Sequence, residues 1–273
     1  VVDPGTALNE ALGVKPIEAT APRPELPPIA AVEEAYARWL HDGDPVPTRA
    51  VLAAYTANMR LEGDPVGLVL VGGSGTGKTE RLMPAQGLPG VVMTSAITGE
   101  AALLSATPHK DRAKDATGGL LRNVGDRGVL VVKDFTSVLA MSRDRRNEVM
   151  GALREVADGR WDRTYGAEGG QTLTWTGKCG LLAGCTGAID QAHSVLAAMG
   201  TRWVFVRLPA PAAHKISRAA LAHMGREAEM REELAKVTTD LLAGPLCEPH
   251  EMTPGIEEGL IALACLASQA RSR

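Results

Sequence analysis

Eight consecutive residues, Gly72-Gly73-Ser74-Gly75-Thr76-Gly77-Lys78-Thr79, fit the spacing G-x-x-x-x-G-K-[ST], the P-loop or Walker A pattern. Glycines let a backbone wrap round a phosphate with its N–H groups turned inward, and a helix starting after the loop adds the positive end of its dipole. In that pattern Lys78 reaches the β- and γ-phosphates of ATP and the Thr79 hydroxyl holds Mg²⁺. The flanks suit the motif. Val66-Gly67-Leu68-Val69-Leu70-Val71 is an apolar run of strand length, and Glu80-Arg81-Leu82-Met83 can begin a helix. The spacing predicts nucleotide binding; the competing reading, an ordinary glycine-rich turn, does not account for the flanks.

A carboxylate stands at the end of another such run. Val129-Leu130-Val131-Val132 reads as a buried parallel strand, and it leads directly into Lys133-Asp134-Phe135. In open parallel sheets such strand ends line the ligand crevice, which makes Asp134 a candidate for metal or water; the bland alternative is a solvated acid. The four cysteines, Cys179, Cys185, Cys247 and Cys265, form no C-x-x-C pair and no Cys/His cluster of zinc spacing, so they are expected reduced and packed.

A chain of 273 residues suits one large α/β domain with, at most, a small satellite. Hydrophobic residues make up 45% but aromatic ones only 3%, so the core must be mainly Ala, Val and Leu, as where helices cover parallel strands. A net charge of −3 gives no global pull towards nucleic acid, and any such site must be a local patch. No apolar run is long enough for a membrane span, and the start lacks the regions of a signal peptide, so a cytoplasmic protein is expected. The chain begins at Val1 and stops in a helix-like segment at Arg273, which reads as a piece of something longer.

Residues 1–30 hold Pro4, Pro16, Pro22, Pro24, Pro27 and Pro28 and read as a flexible arm. Residues 31–40 and 48–60 have helical spacing, with Thr48 a candidate N-cap after Pro45-Val46-Pro47. Val91-Val92-Met93 is a second strand, and residues 101–105 and 118–124 are short helical pieces. Residues 143–158 are helical, with Val149, Leu153 and Val156 on one stripe. Two β-prone runs, 160–165 and 172–176, flank a glycine-rich turn and predict a hairpin. Residues 180–185 and 203–208 read as further strands, with 191–198 helical between them. Beyond 211 the chain reads as helices 215–223, 227–242 and 256–270, a helical lid over 211–273 following a core of 31–210.

This order, P-loop strand, acidic strand end, helix, hairpin, polar strand end and an arginine before the last strand, resembles the AAA+ ATPases. The branch it resembles carries a hairpin before the sensor-1 strand and includes minichromosome-maintenance helicases and bacterial enhancer-binding activators. Residues 66–208 carry the resemblance; the segment 152–163 is similar to the activators' helix-to-hairpin passage. The resemblance implies a three-layer α/β core with a parallel sheet, a hairpin insertion and a helical lid. It places Thr186 at sensor 1, where the family commonly has Asn, and Arg202 as an arginine finger acting in a neighbouring subunit; a surface arginine at a strand start is the alternative. The family ends its Walker B strand with Asp-Glu, whereas this chain has Lys133-Asp134. Asp134 is therefore the essential carboxylate, either for Mg²⁺ or for the attacking water, and a slow nucleotide switch stays open. Arg218 and Arg271 are weak candidates for sensor 2.

The resemblance further implies a homo-oligomeric ring, a hexamer, that hydrolyses ATP and moves or opens DNA. Related helicases contact DNA through the hairpin; here Arg160, Arg163 and Lys178 lie near its base, with Trp161, Tyr165 and Trp175 available for stacking. The tip, residues 166–170, has an acid and no lysine, so a purely structural hairpin competes. Lys110, Arg112, Lys114, Arg122 and Arg127 form a second basic set, a solvated face or a pore loop. An ATPase that remodels a protein, or a regulatory one, is the alternative function, and a metabolic kinase would leave the downstream segments without purpose.

Overall fold

The computed structural model describes residues 29–40, 44–106, 118–166, 170–192, 195, 199–200, 202–209, 221, 223–246 and 252–271. The proline-rich arm up to 28, the hairpin tip 167–169, Lys110, Arg112, Lys114 and Arg218 lie outside them, as does nearly all of the expected helix 215–223. Helices α1 (Ile29–Leu40) and α2 (Val46–Arg60) precede strand β1 (Gly67–Val71). After the glycine-rich loop come α3 (Lys78–Leu82), β2 (Val91–Thr94), α4 (Glu100–Leu103), α5 (Leu120–Val124), β3 (Arg127–Val132), α6 (Thr136–Leu139) and α7 (Arg143–Ala157). Strands β4 (Arg160–Tyr165), β5 (Gln171–Thr176), β6 (Lys178–Cys185) and β7 (Trp203–Arg207) follow, then α8 (Glu227–Ala243) and α9 (Pro254–Arg271).

Five strands form one parallel sheet in the order β2-β3-β6-β1-β7, and β4 pairs with β5 as a separate antiparallel hairpin. The apolar runs of β1, β3 and β6 are continuous because both faces of these strands are covered. Val69, Val71, Leu130, Val132 and Ala183 point to one face, where Val149, Leu153 and Val156 of α7 meet them. Leu68, Leu70, Val129, Val131 and Leu182 point to the other, against Val51, Ala54 and Tyr55 of α2. Helices on both faces make an arrangement compatible with a three-layer core.

The start of α2 differs from the sequence expectation. Thr48 is not the cap: the helix begins at Val46, Thr48 is buried inside it, and the Asp44 carboxylate accepts from the Val46 N–H at 3.0 Å. Pro47 in the first turn explains the shift, since its fixed φ and missing N–H suit that position. The hairpin also differs in what it exposes. Trp161 and Trp175 are cross-strand partners, each about 6% exposed, and both belong to the core. With its indole N–H bonded to the Gly125 carbonyl at 3.1 Å, Trp175 offers no free face for a base.

The described residues between 29 and 243 form one compact unit, which includes α8. It packs on α1 through Leu234 and through a Tyr36–Thr238 hydroxyl bond of 2.9 Å. Helix α9 belongs to a second unit and exposes Ile256, Leu260 and Ile261. Among the described residues no helix is long and apolar enough to cross a membrane.

The entry into β1 is held by one buried amide. Asn58 Nδ2 donates to the Ala54 and Val66 carbonyls at 2.8 and 2.9 Å, and Oδ1 accepts from the Val66 N–H at 2.8 Å. It occupies the room above Gly180 of β6, where an added Cβ would lie 2.0 Å from Nδ2. Asn58→Ala removes these three bonds to backbone groups and is expected to cost about 1–3 kcal/mol. Urea denaturation measures it, and an unchanged midpoint would show that the amide is dispensable.

Candidate functional site

Parallel pairing delivers the carboxyl ends of all five strands to one edge. Val71 is level with Cys185, and Val132 is level with Ala183, so continuing the second register sets Asp134 level with Cys185. The Phe135 N–H bond to the Gly184 carbonyl, 2.7 Å, keeps the chain at that height after the strand ends. With β6 between them, the loop after β1 and Asp134 stand about 10 Å apart, two interstrand spacings. Thr186 leaves β6 in the gap.

The loop itself is shaped by its glycines. Gly75 and Gly77 have φ of 76° and 77°, in the left-handed region. A Cβ on Gly72 would lie 2.7 Å from Thr76 Oγ1 and 3.1 Å from Leu208 Cβ, so the loop closes over this position only because it is bare. The Gly72 N–H bonds to the Cys185 carbonyl at 3.0 Å, and Thr76 Oγ1 donates to the Gly73 carbonyl at 2.9 Å. Gly73, Ser74 and Gly75 are exposed at the rim, and Thr79 is half-buried in α3.

Lys78 curls back over this loop, its Nζ donating to the Gly72 and Gly73 carbonyls at 2.8 and 2.5 Å. Partial burial lowers its pKa, against the pull of Cys185 and Asp134 in the opposite direction. Lys78 therefore lies within electrostatic reach of the acidic strand end. Asp134 is exposed; one carboxylate oxygen accepts from the Thr136 N–H at 3.1 Å, and its carbonyl accepts from Ser137 Oγ at 2.7 Å. Thr136 joins the neighbouring strand end: its Oγ1 accepts from the Thr186 N–H at 3.1 Å, lies 3.4 Å from Thr186 Oγ1 and 3.8 Å from Cys185 Sγ. Burial raises the Cys185 pKa, with the Thr136 hydroxyl bond opposing the shift.

The structure thus brings together Lys78, Asp134 and Thr186, and adds Thr136 and Cys185, which sequence reasoning missed. A threonine two residues after a strand-end aspartate was the available signal for the first. Arg202 is elsewhere. It precedes β7, its carbonyl accepts from the Gly67 N–H at 3.2 Å, and it lies at the opposite edge, about 16 Å from the loop along the strand. Its guanidinium makes a two-point bond to Asp158, Nε–Oδ1 2.8 Å and Nη2–Oδ2 2.9 Å. Arg202 is out of reach of its own chain's loop.

The basic residues of the hairpin are engaged within the protein. Arg163 donates to Glu100 Oε1 at 2.8 Å and to the Leu104 carbonyl at 2.9 Å, with 16% of its side chain exposed. Lys178 Nζ caps the end of α2 through the Ala57 and Leu61 carbonyls, at 3.0 and 2.8 Å. Arg160 pairs with Asp162 at the surface. In the second basic set, Arg127 is tied to Leu61 and Glu62, while Arg122 is exposed. Arg271 ends α9, in the second unit.

Among the described residues no group of three His, Cys, Asp or Glu could hold a metal ion. A divalent ion here would need oxygens from elsewhere, such as phosphates, beside Thr79 and Asp134. No protein-family model matches the chain. No curated protein matches it either. Among solved structures it is similar to two apo A-form structures of the NrS-1 C-terminal region, with TM-scores of 0.43 and 0.39 and identities of 14% and 10%. The matches cover 86% and 88% of this chain but 50% and 51% of theirs, so the chain spans about half their length. At these scores the likeness carries no argument about what the site does.

Arg163→Ala removes a half-buried ion pair and a carbonyl bond, and is expected to cost about 1–3 kcal/mol in the absence of any nucleic acid. A melting temperature equal to that of the parent would show that the arginine is not structural.

Proposed function

We propose that the 72–79 loop is a P-loop that binds the triphosphate of ATP with Mg²⁺, and that the chain is an ATPase of the AAA+ kind completed by a second copy of itself. One observation carries the reading: a glycine cradle with no room for a Cβ at Gly72, its lysine, and the strand ends bearing Asp134 and Thr186 all meet at one sheet edge. In this role Lys78 exchanges the Gly72 and Gly73 carbonyls for β- and γ-phosphate oxygens, and the loop N–H groups hold the β-phosphate. Thr79 and Asp134 would hold Mg²⁺, which neutralises the charge of the phosphates.

The residues of the gap then act on water. The Thr136 N–H occupies one Asp134 oxygen and leaves the other to bind metal or orient the attacking water. Thr186, its N–H fixed by the Thr136 hydroxyl, would offer its own hydroxyl to the γ-phosphate or the attacking water. Arg202, at the far edge, reaches a phosphate only in another copy, which supports a ring with sites shared between neighbours. Among the described residues of the hairpin, the tryptophans face inward and Arg163 and Lys178 are engaged within the protein, which favours a DNA strand held by other surfaces or a protein target. A second reading, a slow nucleotide-dependent switch, is favoured by Lys133 standing beside Asp134 where a second carboxylate would polarise water.

Lys78→Ala is expected to abolish ATP binding, followed by calorimetry; undiminished binding sinks the reading. Arg202→Ala should leave binding intact and lower turnover by about 10³-fold or more, as expected when an arginine finger is lost. Steady-state hydrolysis across protein concentration checks it, and a rate per subunit independent of concentration excludes shared sites. Stimulation by single- or double-stranded DNA identifies a nucleic-acid motor. Turnover indifferent to DNA indicates a protein target, and tight binding without turnover the switch.

A further inference from the structure

Arg81 is 1% exposed, directly beneath the glycine-rich loop. Its Nη1 lies 3.2 Å from the Thr76 carbonyl and 3.2 Å from the Gly77 carbonyl, and its own N–H also bonds to Gly77 O at 3.2 Å. In a trans peptide the C=O and the following N–H point in opposite directions. Drawing Thr76 O and Gly77 O down towards the guanidinium therefore turns the N–H groups of Gly77 and Lys78 up, to the side away from Arg81. The fit leaves no slack. A Cβ on Gly77 would lie 2.7 Å from Nη1 and 3.7 Å from the Leu40 side chain.

The charge is retained in this setting. A guanidinium stays protonated at neutral pH even when enclosed, as Arg81 is. Guanidinium is weakly hydrated and keeps its proton when buried, which suits it to a place that a lysine would leave or titrate in.

We propose that Arg81 is a positioning residue of the phosphate site: it presets two loop N–H donors and supplies a fixed positive charge beneath them, making the site selective for di- and triphosphates over monophosphates. This rests on the reading of 72–79 as a phosphate-binding loop. The loop N–H groups cradle the α- and β-phosphates, so a chain of phosphates engages both contributions where a single phosphate engages only part of them. A nucleoside monophosphate gains less from each.

The test measures affinities of ATP, ADP, AMP and inorganic tripolyphosphate for the full chain and for Arg81→Met, Arg81→Lys and Lys78→Ala, with ligand-free unfolding midpoints alongside. Arg81→Met is expected to weaken ATP, ADP and tripolyphosphate at least about tenfold, the worth of one charge-assisted hydrogen bond, and AMP less than about twofold. Its affinity for tripolyphosphate should also depend less steeply on salt. Arg81→Lys keeps the charge but loses the fork, and should fall between. Wild-type affinity in a folded Arg81→Met, or equal losses for AMP and ATP, overturns the proposal. Should Arg81→Met fail to fold, Arg81→Lys decides: a loss graded by phosphate number supports the proposal, and a uniform loss or none overturns it. A parent chain that binds neither ATP nor tripolyphosphate, or an undiminished Lys78→Ala, instead brings down the phosphate-loop reading itself.

Discussion

Because β6 hydrogen-bonds to β1 on one side and to β3 on the other, Cys185 comes level with Val71 and the chain leaving β3 comes level with both. Everything proposed for the site depends on that register. A slip of one residue would turn Ala183 and Cys185 to the opposite face and carry Leu182 out of the packing against α2. Apolar side chains on both faces make such a slip costly, so the core fixes the height at which Asp134 and Thr186 emerge. Thr136 then bridges the remaining distance, its N–H bonded to Asp134 at one strand end and its hydroxyl to the Thr186 N–H at the other.

Around the loop a second set of contacts ties the residues that follow it to the helical layer. Glu80, next to Thr79, pairs with Arg231 of α8 at 2.8 Å, and Trp39 of α1 donates to Glu233 of the same helix at 2.7 Å. Arg226 lies over the Trp39 ring, 4.9 Å from its centroid. Exposed ion pairs of this kind contribute little stability singly. Together they connect α8 to α1 and to the residue after Thr79.

Much of this was legible beforehand. The strands were, because Val129–Val132 and Leu68–Val71 are apolar on both faces and only parallel, covered strands read so. The loop was, because its glycines and lysine have fixed spacing. Contacts made by single polar side chains were not. Lys178 and Arg163 look like basic residues at the base of a hairpin until the carbonyls of α2 and of the Leu104 turn are seen beside them. Trp161 and Trp175 alternate as a half-exposed hairpin would, yet α5 and α7 cover the side they share. Arg81 gives no signal at all: an arginine in the turn after the glycine-rich loop reads as surface, and only the fold encloses it. Thr48 misled because Pro47, just before it in the first turn, outweighed its capping preference.

The enclosure of Asn58 over Gly180 has a bearing on how this chain can vary. The two residues fill one volume between them, and the amide's bonds reach α2 and the lead into β1, while the glycine belongs to the strand beside it. A side chain at 180 is admissible only when 58 has first become smaller, and a smaller 58 leaves Val66 unsatisfied unless something new arrives. Neither position can drift alone. In diverging copies of this sequence the pair should therefore be inherited as a unit, a correlated signature of the fold independent of whatever the loop binds.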